Sequence, residues 1–147
     1  MASKRELIAQ NIVATLKNQK VYRFGLVTRE PQRDIEDLAK TSFPCAVIES
    51  ANEVREDITQ GGADIVRMSD AEYSIMVYVM AGRKDLDTQR NEIIEAVEVL
   101  LDVDRTRGGN ALYTELTAVE SDDSAQSPIV SMRLTVLVKY CYTRGNV

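Results

Sequence analysis

Histidine is absent from this chain, and so is tryptophan. Without histidine the commonest general base at neutral pH and the commonest metal ligand are both missing. No Ser-His-Asp or Cys-His arrangement can be built. The only cysteines, Cys45 and Cys141, lie far apart in sequence. They are too few for a structural zinc site and read as free, buried thiols of a cytosol-made protein. Both fall in expected strands, so a disulfide would need those strands to be adjacent. Aromatic residues make up only 5% of the chain. No apolar run approaches the ~18 residues of a membrane-spanning helix. The opening MASKRELIAQ turns polar at once and has no apolar core of a secretory leader. Neither GxxxxGK[ST] nor GxGxxG occurs, and Gly61-Gly62 and Gly108-Gly109 read as turns rather than phosphate cradles.

What remains is an ordinary globular composition: 147 residues, 44% hydrophobic and 28% charged. That length suits one domain with a real core. The net charge of −5 is unevenly spread. Residues 1–33 carry seven Lys/Arg against Glu6 and Glu30, while the remainder carries eleven against twenty-one acids. Either this is ordinary surface variation, or the subunit has a basic and an acidic surface that could meet in neighbouring copies. The net acidity argues against gripping DNA through its phosphates. No helix-turn-helix, zinc finger or RNP-like run is visible.

Ser3 and Glu6 form a capping-box pattern, and Ile8, Ile12, Val13 and Leu16 then share one helical face. Residues 21–28 (VYRFGLVT) read as a strand weakened by Gly25. Segment 29–42 is polar, broken by Pro31, with a short helical turn at 34–40, and is expected to be a flexible or assembly loop. Residues 43–49 (FPCAVIE) read as a strand, 52–59 as a solvated strand anchored by Val54 and Ile58, and 63–69 as a short strand. Tyr73–Met80 is apolar on both faces, as in a central strand or one covered by another subunit. Gly82-Arg83-Lys84 is a turn, and Asp85 or Asp87 caps an amphipathic helix over 87–102. Its apolar stripe is Leu86, Ile93, Ile94, Val97, Leu100 and Leu101; Glu92, Glu95, Glu98 and Asp102 form the opposite face. After the polar loop 104–110 come a strand at 111–119, a polar hairpin loop at 120–127 and a half-buried strand at 128–142. The tail 143–147 is expected to fray. The fold class expected is α+β: a two-layer domain, with a mixed or antiparallel sheet and both helices packed on one face.

This order of elements resembles the tail terminator (tail completion) proteins of tailed bacteriophages. The resemblance is carried by RELIAQNIVATLKNQ (5–19), FPCAVIE (43–49), YSIMVYVMAG (73–82), DRTRGGNALYTEL (104–116) and SPIVSMRLTVLVKYCY (127–142). It implies a virion protein of the tail-neck junction, made in the host cytoplasm. Such a protein forms a ring, usually a hexamer, that caps the tail tube and ends its polymerisation. Its implied partners are further copies of itself, the tail tube protein, a neck or connector protein and, in a contractile tail, the sheath. DNA passes through the central channel without specific binding, and no membrane is involved. On this view Arg23, Arg29, Arg33, Arg105, Arg107, Asp122 and Asp123 are candidates for subunit contacts, and Glu92, Glu95, Glu98 and Asp102 for channel lining. No catalytic residue, cofactor or metal is expected. Two alternatives stand beside it: another head-completion or connector protein of the neck, and a small carboxylate-dependent hydrolase or metal enzyme using Asp102 with Asp104, or Asp122 with Asp123.

Overall fold

The first helix begins where the capping pattern puts it. In the computed structural model, which describes residues 3–30, 38–59, 65–80, 85–122 and 129–143, α1 spans Lys4–Lys17. The Ser3 side chain accepts from the Glu6 N–H at 3.2 Å. The Glu6 carboxylate does not complete the box; it accepts instead from Gln10 and from Arg29. Helix α2 spans Leu86–Val103, with the Asp85 side chain accepting from the Asp87 N–H. Ile8, Ile12 and Leu16 of α1 and Ile93, Val97 and Leu101 of α2 are buried in one common core.

That core lies against one face of a five-stranded sheet of order β1-β2-β3-β5-β4. The strands are β1 (Leu26–Thr28), β2 (Cys45–Asp57), β3 (Val66–Met80), β4 (Tyr113–Asp122) and β5 (Ile129–Thr143). Only β1–β2 is parallel; the other pairs are antiparallel. Alternate residues of β3 and β5 (Tyr73, Ile75, Val77; Met132, Leu134, Val136) point into the helix layer and are fully buried. The sheet is therefore mixed, with both helices packed on one face.

The strands are longer and fewer than the sequence suggests. Residues 43–49 and 52–59 were expected as two strands, as were 63–69 and 73–80; each pair is one continuous strand. In β2 the physical reason is a bulge, while β3 runs unbroken against β5. Between Ser50 and Glu53 the β2 register slips, so two residues oppose one of β3. Beyond it Glu53, Arg55 and Asp57 take the inward positions, opposite Ala71, Ser69 and Arg67. Val54, expected as an anchor, is turned outward and is 70% exposed. Strand β1 is also shorter than 21–28, because residues 21–25 bend to bring Gly25 against the backbone of residues 41–43. Gly25 is thus a site of close approach rather than a weak point in a strand. Within 29–42, Lys40–Ser42 forms a 3₁₀ turn, and residues 120–122, expected in a loop, belong to β4. The expected helical turn at 34–37, the turns at 60–62 and 82–84, loop residues 123–127 and the tail at 144–147 lie outside the described residues.

Fifteen residues of β3 extend about 50 Å, whereas the fourteen residues of α1 cover about 21 Å. The β2–β3 hairpin and the end of β5 therefore run beyond α1. Cys45 pairs with Tyr78 and Cys141 with Met68. Ten residues of β3 separate those positions, about 33 Å, so the two thiols are free and cannot pair within one chain.

Candidate functional site

Three surfaces of the molecule combine charge with shape. The first is built where α1 stops. Its last turn is closed by the Asn18 N–H donating to Ala14 O. Gln19 then pins the following turn: its amide oxygen accepts from the Val21 and Tyr22 N–H groups, and its Nε2 donates to Leu16 O and Tyr22 O. The rings of Tyr22 and Phe24 stack at a tilt, 5.2 Å apart. Gly25 lets the chain close onto residues 41–43 and donates to Pro44 O. The result is a cleft of about 400 Å³ with an apolar floor of Leu16, Phe24 and Leu26 and a rim of Lys17, Lys20 and Arg23. Among the described residues none of these three cations forms an ion pair.

The second surface is acidic. Glu95, Glu98 and Asp102 of α2 are exposed and Glu92 is half-buried. Glu92 and Glu95 line a shallow groove with Val21 and Val99 and so lie beside the basic turn of the same subunit. Glu98 and Asp102 border a cleft of about 280 Å³ between α2 and β4, with Arg105, Tyr113 and Glu115. Strand β4 adds exposed Glu115 and Glu120 at the far edge of the sheet.

The third is a polar cluster under the hairpin. The bulge brings Glu53 to the helix side, where its side chain is only 6% exposed. It accepts from Tyr140 Oη at 2.9 Å and from Arg55, with Arg5 at 4.0 Å. The Arg55 guanidinium lies 5.0 Å over the Tyr142 ring. Tyr73 Oη donates to Arg5 O in the first turn of α1, and Lys4 Nζ donates to Cys141 O. Burial pushes the Tyr73 and Tyr140 phenols above the ordinary tyrosine range. The cluster fastens the start of α1 to the base of the hairpin.

The expected contact residues are distributed very differently from one another. Arg23 is exposed on the rim of the basic cleft. Arg29 is held by Glu6 at 2.5 Å, and Arg105 by Asp102 at 3.4 Å, each within the subunit. Arg107 is a correction: it is completely buried. Its Nη2 donates to Leu101 O at 2.5 Å and to Asp104 O, closing the C-terminal end of α2 from inside. It sits at φ 50°, followed by Gly108 at 71° and Gly109 at 87°, a left-handed turn that folds the guanidinium back under the helix. Burial lowers the Arg107 pKa, against the pull of Asp104 and Asp102. It therefore offers no surface to a neighbour. Arg33 and Asp123 lie outside the described residues, and Asp122 closes β4.

The sequence reading did not single out Lys17, Lys20, Glu53 or Glu120. The three-residue spacing of Lys17, Lys20 and Arg23 carried a signal for the basic rim; the inward turn of Glu53 depends on the bulge and carried none. Each of Asp102 and Asp104 has its own partners: Asp102 holds Arg105, while Asp104 accepts from Thr106 and from the Gly108 N–H. Those Thr106 and Gly108 hydrogen bonds hold the Asp104 carboxyl below its ordinary pKa. Among the described residues, no three Asp, Glu or Cys side chains are grouped to hold a metal ion, and no helix is long and apolar enough to cross a membrane. No family model matches the chain, and no curated protein matches it.

Proposed function

We propose that the chain is the subunit of a ring that caps the tail tube of a tailed bacteriophage, ends tube polymerisation and joins the tail to the head-neck. The observation that supports this reading is the outer face of the sheet, which among the described residues carries no helix and is apolar at its centre, with Cys45 and Val47 of β2 buried there. Helices α1 and α2 occupy the inner face. On the outer face Met76, Tyr78, Met80 and Leu137 are only half-buried, among exposed Glu49, Arg133 and Glu115. Antiparallel sheets can face water on one side, but that side is then mainly polar. Methionine, tyrosine and leucine left half-bare across adjacent strands fit a surface that further protein covers. The hairpin adds Val54 and Ile58, exposed beyond the helix layer.

Copies meeting through different patches associate head to tail and close into rings when the rotation allows. The partners are other copies of this chain, the tube protein below and a neck protein above, with a sheath as a further neighbour if the tail contracts. Glu95, Glu98 and Asp102 form an acidic helix face that repels DNA and would suit a channel through which it slides.

Native mass spectrometry and negative-stain imaging of the purified protein test this, together with co-sedimentation on assembled tail tubes. A closed ring that binds tube ends is the expected result. A monomer at every concentration that ignores tube ends would sink the proposal. A ring that binds a portal and not a tube would move it to another position in the neck.

A further inference from the structure

The two edges of the sheet carry opposite charge at the same height. Cross-strand pairing links Leu26, Cys45, Tyr78, Ser131 and Asp122 in one row. A second row, two residues along, runs from Thr28 to Glu120 through Val47, Met76 and Arg133. At the β1 end of these rows is the cleft with Lys17, Lys20 and Arg23 on its rim and Leu26 in its floor. At the β4 end are Glu120, which is exposed, and Asp122. Among the described residues neither β1 nor β4 has a strand on its outer side.

From this placement we infer that the Glu120–Asp122 end of β4 in one copy docks on the Lys17, Lys20 and Arg23 rim of the next. The inference rests on the ring reading above and names the contact that would close it. The rows set the two edges at one height, so copies side by side need no shift along the strands; Glu120 leaves the sheet on the side away from the helices, and the rotation between ring neighbours has to carry it towards the helix-side rim. The three cations have no ion-pair partner among the described residues, so a neighbour's carboxylates compete with no internal bond. The apolar floor lowers the local dielectric and strengthens each pair above its worth in open water. The same geometry explains why like edges do not join: two β4 edges would set Glu115 and Glu120 against their own copies.

The test is a charge swap read by native mass spectrometry and sedimentation across concentration and salt. Lys20→Glu with Arg23→Glu forms one variant, Glu120→Lys with Asp122→Lys the second, and all four changes together the third. Each reversal alone should raise the concentration for half-assembly at least about ten-fold. The combined variant should return to within about three-fold of the original. Among the described residues Lys20, Arg23 and Glu120 form no ion pair, so the melting temperature of the isolated subunit should stay unchanged in all three. Should a reversal unfold the chain, Lys20→Gln with Arg23→Gln replaces it, expected to weaken assembly and to reduce its salt dependence. A ring that forms in the original protein and is indifferent to both reversals overturns this contact but leaves the ring. So does a combined variant no better than the worse single one. A subunit that stays monomeric without any substitution overturns the ring reading itself, and this contact with it.

Discussion

Replacing Arg107 with alanine should cost the fold about 2–3 kcal/mol, even though the residue lies in a polar loop. The magnitude follows from what the side chain does. It donates from a charged group to two carbonyls at the end of α2, Leu101 O and Asp104 O. Hydrogen bonds from charged groups contribute ~1.5–3 kcal/mol each. A cation at a helix C-terminus adds ~0.3–1 kcal/mol. Against this, the guanidinium is fully desolvated, and its Nε and Nη1 find no partner in the protein. An ion held in that way costs several kcal/mol, and the alanine variant escapes the cost. The difference leaves a net loss of about 2–3 kcal/mol, and for a chain of this size roughly 5–10 °C in melting temperature. Glycine at the same position should be about 1 kcal/mol less harmful than alanine, because φ 50° is strained for any side chain. Thermal and denaturant melts of both variants at low protein concentration give the measurement. An Arg107→Ala protein that melts within ~1 °C of the original but no longer assembles would refute the reasoning. It would return Arg107 to the subunit surface where its sequence context suggested it belonged.

Three further outcomes can be stated briefly. Glu53→Ala should destabilise by about 2–4 kcal/mol, since Arg55 and Tyr140 are left facing a buried gap; Glu53→Gln should recover part of that in the same melts. Gly25→Ala should destabilise by at least ~1–3 kcal/mol, because its Cβ would overlap Thr41 O and lie 2.5 Å from the Ser42 carbonyl carbon; an unchanged melt would show that this crossing is loosely packed. Burial is the chief cause that raises the pKa values of Tyr73, Tyr78 and Tyr140 above the ordinary tyrosine value. The neutral phenol is thus favoured by folding: the stability it lends is fully present below the unfolded pKa of ~10 and drains away as pH rises past it towards the folded values. Tyrosinate absorbance should rise in two stages on alkaline titration, the second coinciding with loss of near-UV circular dichroism; one smooth rise in a still-folded protein would contradict the burial.

The elements that were legible in the sequence are those whose side chains obey one period throughout. Helix α2 is the clearest: Ile93, Val97, Leu100 and Leu101 mark the buried stripe, and all four are in the core. Strand β5 alternates without a break from Val130 to Tyr142, and its inward residues are the buried ones. Strand β2 fails the same test for a definite reason. Its pattern is correct on either side of Ser50–Glu53, but the bulge inverts the faces between the two halves. A reading based on alternation must then break it into two strands and take Val54 for an anchor. The capping box shows a related limit. Ser3 caps α1 as the pattern says, but Glu6 has a stronger partner in Arg29, twenty-three residues away.

The candidate site was legible as a charge imbalance and not as a place. Arg23 and Arg107 illustrate why. Arg23 stands between two aromatic residues and Arg107 before a glycine pair, and neither neighbourhood says whether the cation faces the fold or a partner. Arg107 follows a helix that has no basic residue in its last turn, so the orphan carbonyls of α2 remain to be met, and the left-handed turn at 107–109 supplies the reversal that carries the guanidinium there. Helix α1 needs no such help, since Lys17 stands in its last turn and the Asn18 N–H closes the ladder. Arg23 is therefore left over, exposed, beside two lysines. Whether an arginine serves the fold or a partner is decided by which backbone groups are already satisfied. By the same logic Lys17, Lys20 and Arg23 are the cations most open to an outside carboxylate, and Arg29 and Arg105, each already holding an acid of its own subunit, are much less so.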